Sequence, residues 1–203
     1  MEKGLMLVVS GPAGSGKGTV NGRLSQMEGY AFSVSATTRA PRPGEVDGVN
    51  YHFISREEFE ERIARGDMLE HTSYCGNYYG TPLKEALEVL EQGKNLILEI
   101  EVEGAMNVKR LYPEAVLIML LPPTFAVQEW RLRHRGTETE EIIQRRLART
   151  REELELLGEY DYIVYNRPDC AEDCVEDIRA IVRAERCSLR RHPNAKKAYF
   201  EQD

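Results

Sequence analysis

Residues 11–19, Gly-Pro-Ala-Gly-Ser-Gly-Lys-Gly-Thr, follow directly on the apolar run Leu5-Met6-Leu7-Val8-Val9. A strand that empties into a glycine-rich loop ending in lysine and continuing as a helix has few uses. The glycines let the backbone curl so tightly that successive N–H groups and the positive end of the helix face one point, and that point attracts phosphate. Lys17 then reaches the terminal phosphates of a nucleotide, and Thr19 is the nearest hydroxyl for placing magnesium beside them. Gly18 stands where many such loops carry that hydroxyl, so it arrives one residue late.

The rest of the chain must supply a core behind this loop. Apolar runs at residues 5–10, 95–100, 115–121 and 162–165 alternate with helical patterns, which predicts a parallel sheet covered by helices. Helices are expected over Lys17–Met27, Pro82–Gln92 and Ala105–Leu111, with a last long one starting near Asp169 or Cys170. Two stretches break the rhythm. Residues 34–81 read as short strands and turns, a small lobe inserted between core elements. Residues 125–158 read as a charged, arginine-rich helical pair broken at Gly136-Thr137, the pattern of a mobile lid. The fold class expected is therefore α/β: a phosphate-loop core with a parallel β-sheet flanked by helices (1–33, 82–124 and 159–203), plus a mixed-β lobe and a helical lid. The polar tail after Arg190 is expected to be frayed or weakly docked.

At 203 residues the chain fits one such domain. With 27 basic against 34 acidic residues its net charge is −7, which argues against nucleic acid as a partner. No apolar run approaches the ~18 residues of a membrane span. The opening Met-Glu-Lys-Gly-Leu enters the first strand without a presequence, so a cytoplasmic location is expected. Cys75, Cys170, Cys174 and Cys187 are too scattered for a disulfide framework. Cys170 and Cys174 sit one helical turn apart, but no second pair completes a metal site, and free thiols are expected.

The segment Ser33-Val-Ser-Ala-Thr-Thr-Arg39-Ala-Pro-Arg42-Pro-Gly-Glu45-Val-Asp-Gly-Val-Asn-Tyr51-His-Phe53 closely resembles the GMP-binding region of guanylate kinases. Glu70, Gly76-Asn77-Tyr78-Tyr79-Gly80-Thr81, Arg135-Gly136-Thr137 and Glu159-Tyr160-Asp161-Tyr162 match the same family in its order, so the resemblance runs from about Leu5 to Arg186. Kinases acting on nucleoside monophosphates also carry the late hydroxyl after the loop lysine. The resemblance implies transfer of the γ-phosphoryl group of ATP to GMP with magnesium. ATP would lie on Gly11, Pro12, Ala13, Gly14, Ser15, Gly16, Lys17, Gly18 and Thr19. Asn166 is implied at its adenine, and Arg131, Arg135 and Arg146 are implied to close on the phosphates beside Lys17.

The residue chemistry agrees. Arg39 and Arg42 offer planar guanidinium forks that suit a phosphate, and Tyr51 and Tyr79 add phenolic hydrogen bonds. An isolated Arg-x-x-Arg would favour a solvated loop paired with Glu45 and Asp47, and it is the flanking match that turns the reading towards phosphate. One carboxylate can accept both N1–H and N2–H₂ of guanine, the role that the resemblance implies for Glu70, with Ser35 and Thr81 completing the edge. Thr81 before Pro82 also reads as a helix N-cap. Glu101 stands where the family usually has Asp, and Glu103 where it has Gln. Glu101 is expected at the guanine or at a magnesium-bound water. ATP and GMP are the expected partners, and oligomeric state is left open. Two other readings compete: a kinase of the same fold acting on another phosphorylated substrate, and a non-catalytic peptide-binding module, against which the intact Lys17 weighs.

Overall fold

Met6-Leu7-Val8-Val9-Ser10 is buried at every position, as a strand with helices on both faces requires. In the computed structural model, which describes residues 2–74, 76–136 and 138–201, this is β1 (Met6–Ser10), the middle of a five-stranded parallel sheet. The other strands are β2 (Tyr30–Phe32), β7 (Asn95–Glu99), β8 (Val116–Leu121) and β9 (Tyr162–Tyr165), in the order β2-β7-β1-β8-β9. Leu7 and Val9 face α1 (Lys17–Ser25) and α7 (Ala171–Arg186) and pack among Val20, Leu24, Ile118 and Ile178. Met6 and Val8 face α3 (Leu83–Glu91) and α4 (Val102–Leu111) and pack among Ala86, Leu90, Ala105 and Val108. Each fully buried Leu, Ile or Val side chain contributes about 1.5–3 kcal/mol, so the two-sided burial of β1 anchors whatever follows it.

Register delivers the functional edge. Val9 lies beside Glu99, Ser10 beside Met119, and Leu121 beside Tyr165. The phosphate loop, the acidic end of β7 and Asn166 therefore emerge together at the carboxyl end of the sheet, where the chain switches direction on either side of β1.

A second, mixed sheet has the order β4-β3-β6-β5, from β3 (Ala36–Thr37), β4 (His52–Phe53), β5 (Met68–Tyr74) and β6 (Asn77–Pro82). Between β4 and β5 the structure places α2 (Arg56–Arg65), where the sequence reading has only strands and turns. The helix is nonetheless signalled: Ser55 Oγ accepts from the Glu58 backbone N–H at 3.1 Å, and Gly66 closes the last turn at φ 74°. Its apolar stripe is only Phe59 and Ile63, packed on Ala36 and Met68, too narrow to stand out among its charges. The charged pair forms α5 (Phe125–His134) and α6 (Glu140–Leu154), joined through Gly136 at φ 65°. Leu132, Ile143 and Leu147 make a small separate core there, against Ala13 of the phosphate loop.

Element ends shift modestly from expectation: α1 stops at Ser25, α4 begins already at Val102, and the three-residue edge strand β2 has no clear apolar signal. Cys75 and Thr137 lie outside the described residues. Cys170, Cys174 and Cys187 are free thiols, and burial pushes Cys174 up to about 11.

The chain after Arg186 is held more firmly at first than its polarity suggests. Buried Glu185 accepts from Tyr162 Oη at 2.6 Å, from Arg191 Nε at 2.9 Å and from Arg190. From His192 to Glu201, which includes α8 (Ala195–Phe200), every residue is exposed, as expected of the tail after Arg190. Burial alone would raise the Glu185 carboxyl, but hydrogen bonds from Arg190, Tyr162 and Arg191 outweigh it and bring it down to about 2. A depressed carboxyl stabilises the fold above its unfolded pKa, and that contribution is lost as pH falls from about 4.5 towards 2. Glu185→Gln is expected to lower unfolding free energy by ~3 kcal/mol at neutral pH and to flatten its loss below pH ~4.5 in urea titrations.

Candidate active site

The carboxyl edge of the parallel sheet, the second sheet and the α5–α6 pair enclose a cleft of about 1040 Å³. One wall is the phosphate loop. Gly11 needs its missing side chain, because a Cβ there would lie 2.1 Å from the Leu120 carbonyl oxygen. At Gly16 φ is 92°, and a Cβ would lie 2.1 Å from Asn166 Nδ2. Asn166 Nδ2 donates to the Ser15 carbonyl at 2.8 Å, while Arg131 reaches the carbonyls of Asn166, Gly14 and Ser15 at 2.9, 3.3 and 3.4 Å. The loop carbonyls are thus held from behind. A trans peptide points its N–H opposite its C=O, so tethering the Ser15 carbonyl aims the Gly16 N–H the other way. Lys17 lies along the loop, its ammonium donating to the Gly11 carbonyl and, at 3.5 Å, to that of Pro12.

Pro12 to Thr19 all border the cleft, as do Ser35, Tyr51, Glu70, Tyr79, Glu101, Arg131, Arg135, Arg146 and Asn166. The structure brings these predicted residues together. Four others sit off the wall. Gly11 is buried under the loop, and Thr81 is fully buried behind Glu70. Thr81 does not cap α3, whose N-cap is Pro82. Its hydroxyl instead donates to Glu70 Oε1 at 2.9 Å, a stronger attraction than an exposed helix end. Arg39 stands behind Tyr51, its guanidinium carbon 5.5 Å from that ring, and donates to Glu45 at 2.9 Å. Arg42 is exposed on the same turn, and its backbone N–H donates to the other Glu45 oxygen at 2.7 Å. Glu45 thus ties the two arginines into one loop, and the hydrogen bond from Arg39 holds its carboxyl below the usual range.

Glu70 is 4% exposed, in the wall facing the phosphate loop. Its Oε1 holds Thr81. Its Oε2 lies 3.0 Å from where a Cβ of Gly104 would stand, so α4 packs close against Glu70 and a side chain at 104 would press on that carboxyl. Desolvation raises this carboxyl from an ordinary 4.5 to about 7, against the pull of the hydrogen bonds from Thr81. A buried carboxylate with an oxygen spared by its neighbours is built to accept donors from a ligand.

The helix pair carries its arginines already paired with acids. Arg146 bonds Glu138 at 2.7 Å, and Arg149 bridges Glu153 at 2.9 Å and Glu101 at 3.4 Å. Arg135 is exposed and makes no ion pair among the described residues. Glu101 stands at the N-cap position of α4 without a side-chain capping bond and reaches across to Arg149 on α6, while Glu103 is exposed. Three contributors escape the sequence reading. Buried Gln128 and the Arg149–Glu153 pair carry no motif, and buried Asn21 holds Glu99 at 2.9 Å through a packing contact 78 residues apart in sequence. Thr19 lies exposed in the first turn of α1, with Glu99 and Glu101 across the same cleft. The described residues contain no cluster of three or more His, Cys, Asp or Glu able to hold a metal by themselves. One hydroxyl and separated carboxylates suit a magnesium ion held mainly by phosphates and water.

Residues 3–185 match the sequence model of the guanylate kinase family. The chain is 52% identical over 191 residues to a guanylate kinase of Halalkalibacterium halodurans, covering 94% of this chain and 93% of that one. A guanylate kinase of Clostridium tetani is 46% identical over 191 residues, covering 94% and 91%. Among solved structures, the guanylate kinase from Anaplasma phagocytophilum superimposes with a TM-score of 0.72 at 31% identity, covering 91% of this chain and 87% of that one.

The raised Glu70 carboxyl has a signed consequence. The folded, ligand-free chain holds that proton more tightly than the unfolded chain, so its stability falls as pH rises from about 4.5 through about 7. Glu70→Gln is expected to be more stable than the parent by up to ~3 kcal/mol at pH 8, with the gap closing towards pH 4.5, in paired denaturant titrations. A gap that does not vary with pH would show that Glu70 is solvated.

Proposed function

Because the chain belongs to the guanylate kinase family, we propose that its cleft holds GMP and ATP on opposite walls. The reaction moves the γ-phosphoryl group of ATP to GMP, giving ADP and GDP. The observation that carries the reading is Glu70: a buried carboxylate, partly satisfied by Thr81, across the cleft from a phosphate loop. Guanine offers N1–H and N2–H₂ side by side to such a group. Adenine would present an unprotonated N1, acceptor against acceptor, and mispaired buried groups of this kind cost several powers of ten in rate. Ser35 completes the base edge, Glu101 borders it, and Thr81 steadies Glu70 from behind. Arg39 and Arg42, with Tyr51 and Tyr79, take the 5′-phosphate when the turn carrying them closes. On the other wall the phosphate loop, residues 11–19, takes the phosphates of ATP through free amides such as those of Gly14 and Gly16 and the ammonium of Lys17, and Asn166 is assigned to its adenine.

The acceptor phosphate has a second pKa near ~6 and is already largely dianionic at neutral pH, so no general base is needed. The work is to bring two polyanions into line and to spread the charge that develops between them. Lys17, Arg135, Arg146 and Arg131 are assigned to that. Arg135 is free to move. Arg146 must exchange Glu138 for phosphate, and Lys17 must exchange loop carbonyls for it. Arg131 acts from behind, through the loop carbonyls and Asn166. Magnesium would be held by the phosphates with Thr19, and by Glu101 through water, and supplies charge neutralisation. Residues 34–81 and 125–158 act as the closing lobes and exclude water that would otherwise hydrolyse ATP. No helix is long and apolar enough to cross a membrane among the described residues, and a cytoplasmic enzyme without nucleic-acid partners fits the net charge of −7.

The test is ADP release from Mg-ATP with GMP, dGMP, AMP, UMP or CMP as acceptor. Turnover selective for guanine is expected, and Lys17→Ala should reduce kcat by about two orders of magnitude or more with GMP binding nearly intact. No turnover of any acceptor would sink the proposal. Glu70→Gln is expected to lose discrimination between GMP and AMP. It should also remove the rise in KM for GMP that the wild-type enzyme shows below pH 7, where Glu70 must first give up its proton. Unchanged selectivity would take Glu70 out of the base pocket.

A further inference from the structure

Gln128 and Thr150 are each 2% exposed, within the small apolar core of Leu132, Ile143 and Leu147 that joins the helix pair to Ala13. Polar groups buried in such a place need partners, and these two find a connected set. Gln128 Nε2 donates one hydrogen to the Ala13 carbonyl at 2.9 Å and the other to Thr150 Oγ1 at 2.8 Å. The Thr150 hydroxyl passes its own hydrogen to the Arg146 carbonyl at 3.0 Å. Three hydrogen bonds thus run unbroken from the phosphate loop, through α5, to the backbone of Arg146 on α6.

Peptide geometry gives this chain a direction. Holding the Ala13 carbonyl against α5 turns the Gly14 N–H to the opposite side of the loop. Asn166 and Arg131 do the same for the next free amide, that of Gly16, through the Ser15 carbonyl. The Ser15 N–H between them is already occupied by the Pro12 carbonyl at 3.1 Å. Gln128 therefore does for the Gly14 amide what Asn166 does for that of Gly16, and of Gln128, Asn166 and Arg131 it is Gln128 that also reaches α6.

We propose that Gln128 is a positioning residue that couples ATP binding to the placement of Arg146. It aims the Gly14 amide at the donor phosphates and, through Thr150, sets α6 at the height from which Arg146 meets them. Ordering of the loop by ATP then also orders the lid helix. This rests on the assignment of the phosphate loop to ATP made above.

The experiment compares wild type, Gln128→Leu, Thr150→Val and the double variant, measuring calorimetric binding of Mg-ATP and of GMP separately, then kcat. Gln128→Leu keeps the volume and leaves the Ala13 carbonyl unpartnered. It is expected to weaken ATP binding about tenfold, the loss of one buried hydrogen bond, with GMP binding within twofold. Thr150→Val leaves the Ala13 contact in place, so ATP affinity should hold within about threefold while kcat falls about fivefold. In the double variant kcat should fall no further than in Gln128→Leu, since both act through one chain. Equal loss of ATP and GMP affinity in Gln128→Leu would overturn the proposal, because packing damage makes no such distinction, and so would wild-type ATP affinity. Should Gln128→Leu not fold, Thr150→Val decides: unchanged kcat overturns the coupling. A wild-type chain that binds ATP but fails to phosphorylate GMP would refute the function while leaving the binding arm of this test intact.

Discussion

A loop can bind phosphate through its N–H groups only if its carbonyls have somewhere else to go. Here they go to donors planted behind the loop. Gln128 takes Ala13, Asn166 takes Ser15, and Arg131 takes Gly14 and Ser15. Buried backbone acceptors need partners in any fold, so the same bonds that satisfy them also pre-aim the amides. The glycines at 11 and 16 follow from that crowding, since Leu120 and Asn166 occupy the space where side chains would stand. With its carbonyls tethered, the loop backbone has less to reorganise when a polyanion arrives, and pre-aimed dipoles of this kind stabilise developing charge at little cost.

The opposite wall uses the inverse device. Glu70 is deprived of water and given one hydroxyl partner, so it is held near the middle of its titration at about 7. Burying that carboxyl costs stability once it is ionised, and the proposed guanine, with two adjacent donors, would offset more of that cost than a ligand with one. Gly104 on α4 and Gly80 on β6 let neighbouring backbone close around the carboxyl.

A protein of net charge −7 that handles two polyanions must keep its cations in place without leaving them bare. It does so by pairing: Arg39 with Glu45, Arg146 with Glu138, Arg149 with Glu153 and Glu101. The pairs in which the arginine is partly exposed, those of Arg146 and Arg149, are the weaker kind, and the proposed phosphate would have only such a pair to displace at Arg146. Glu101 links the start of α4 to Arg149 on α6 across 3.4 Å.

Sequence alone determined the parallel sheet, the phosphate loop, the family and more than half of the residues that border the cleft, because each was written in a local pattern. Apolar runs specify strands buried on both faces. Glycine spacing specifies the loop, and runs of matching residues specify the family. Helix α2 was also written locally, in Ser55, Glu58 and Gly66, but its buried face was too narrow to outweigh its charges. What only the tertiary structure decided was which polar groups meet. Thr81 turned from helix cap to partner of Glu70, Arg131 turned to the loop carbonyls, and Gln128 met residues 115 positions before it and 22 after it. Hydrogen bonds between distant segments leave no periodicity in a chain. They exist only once the apolar core has fixed the distances over which donors and acceptors must find each other.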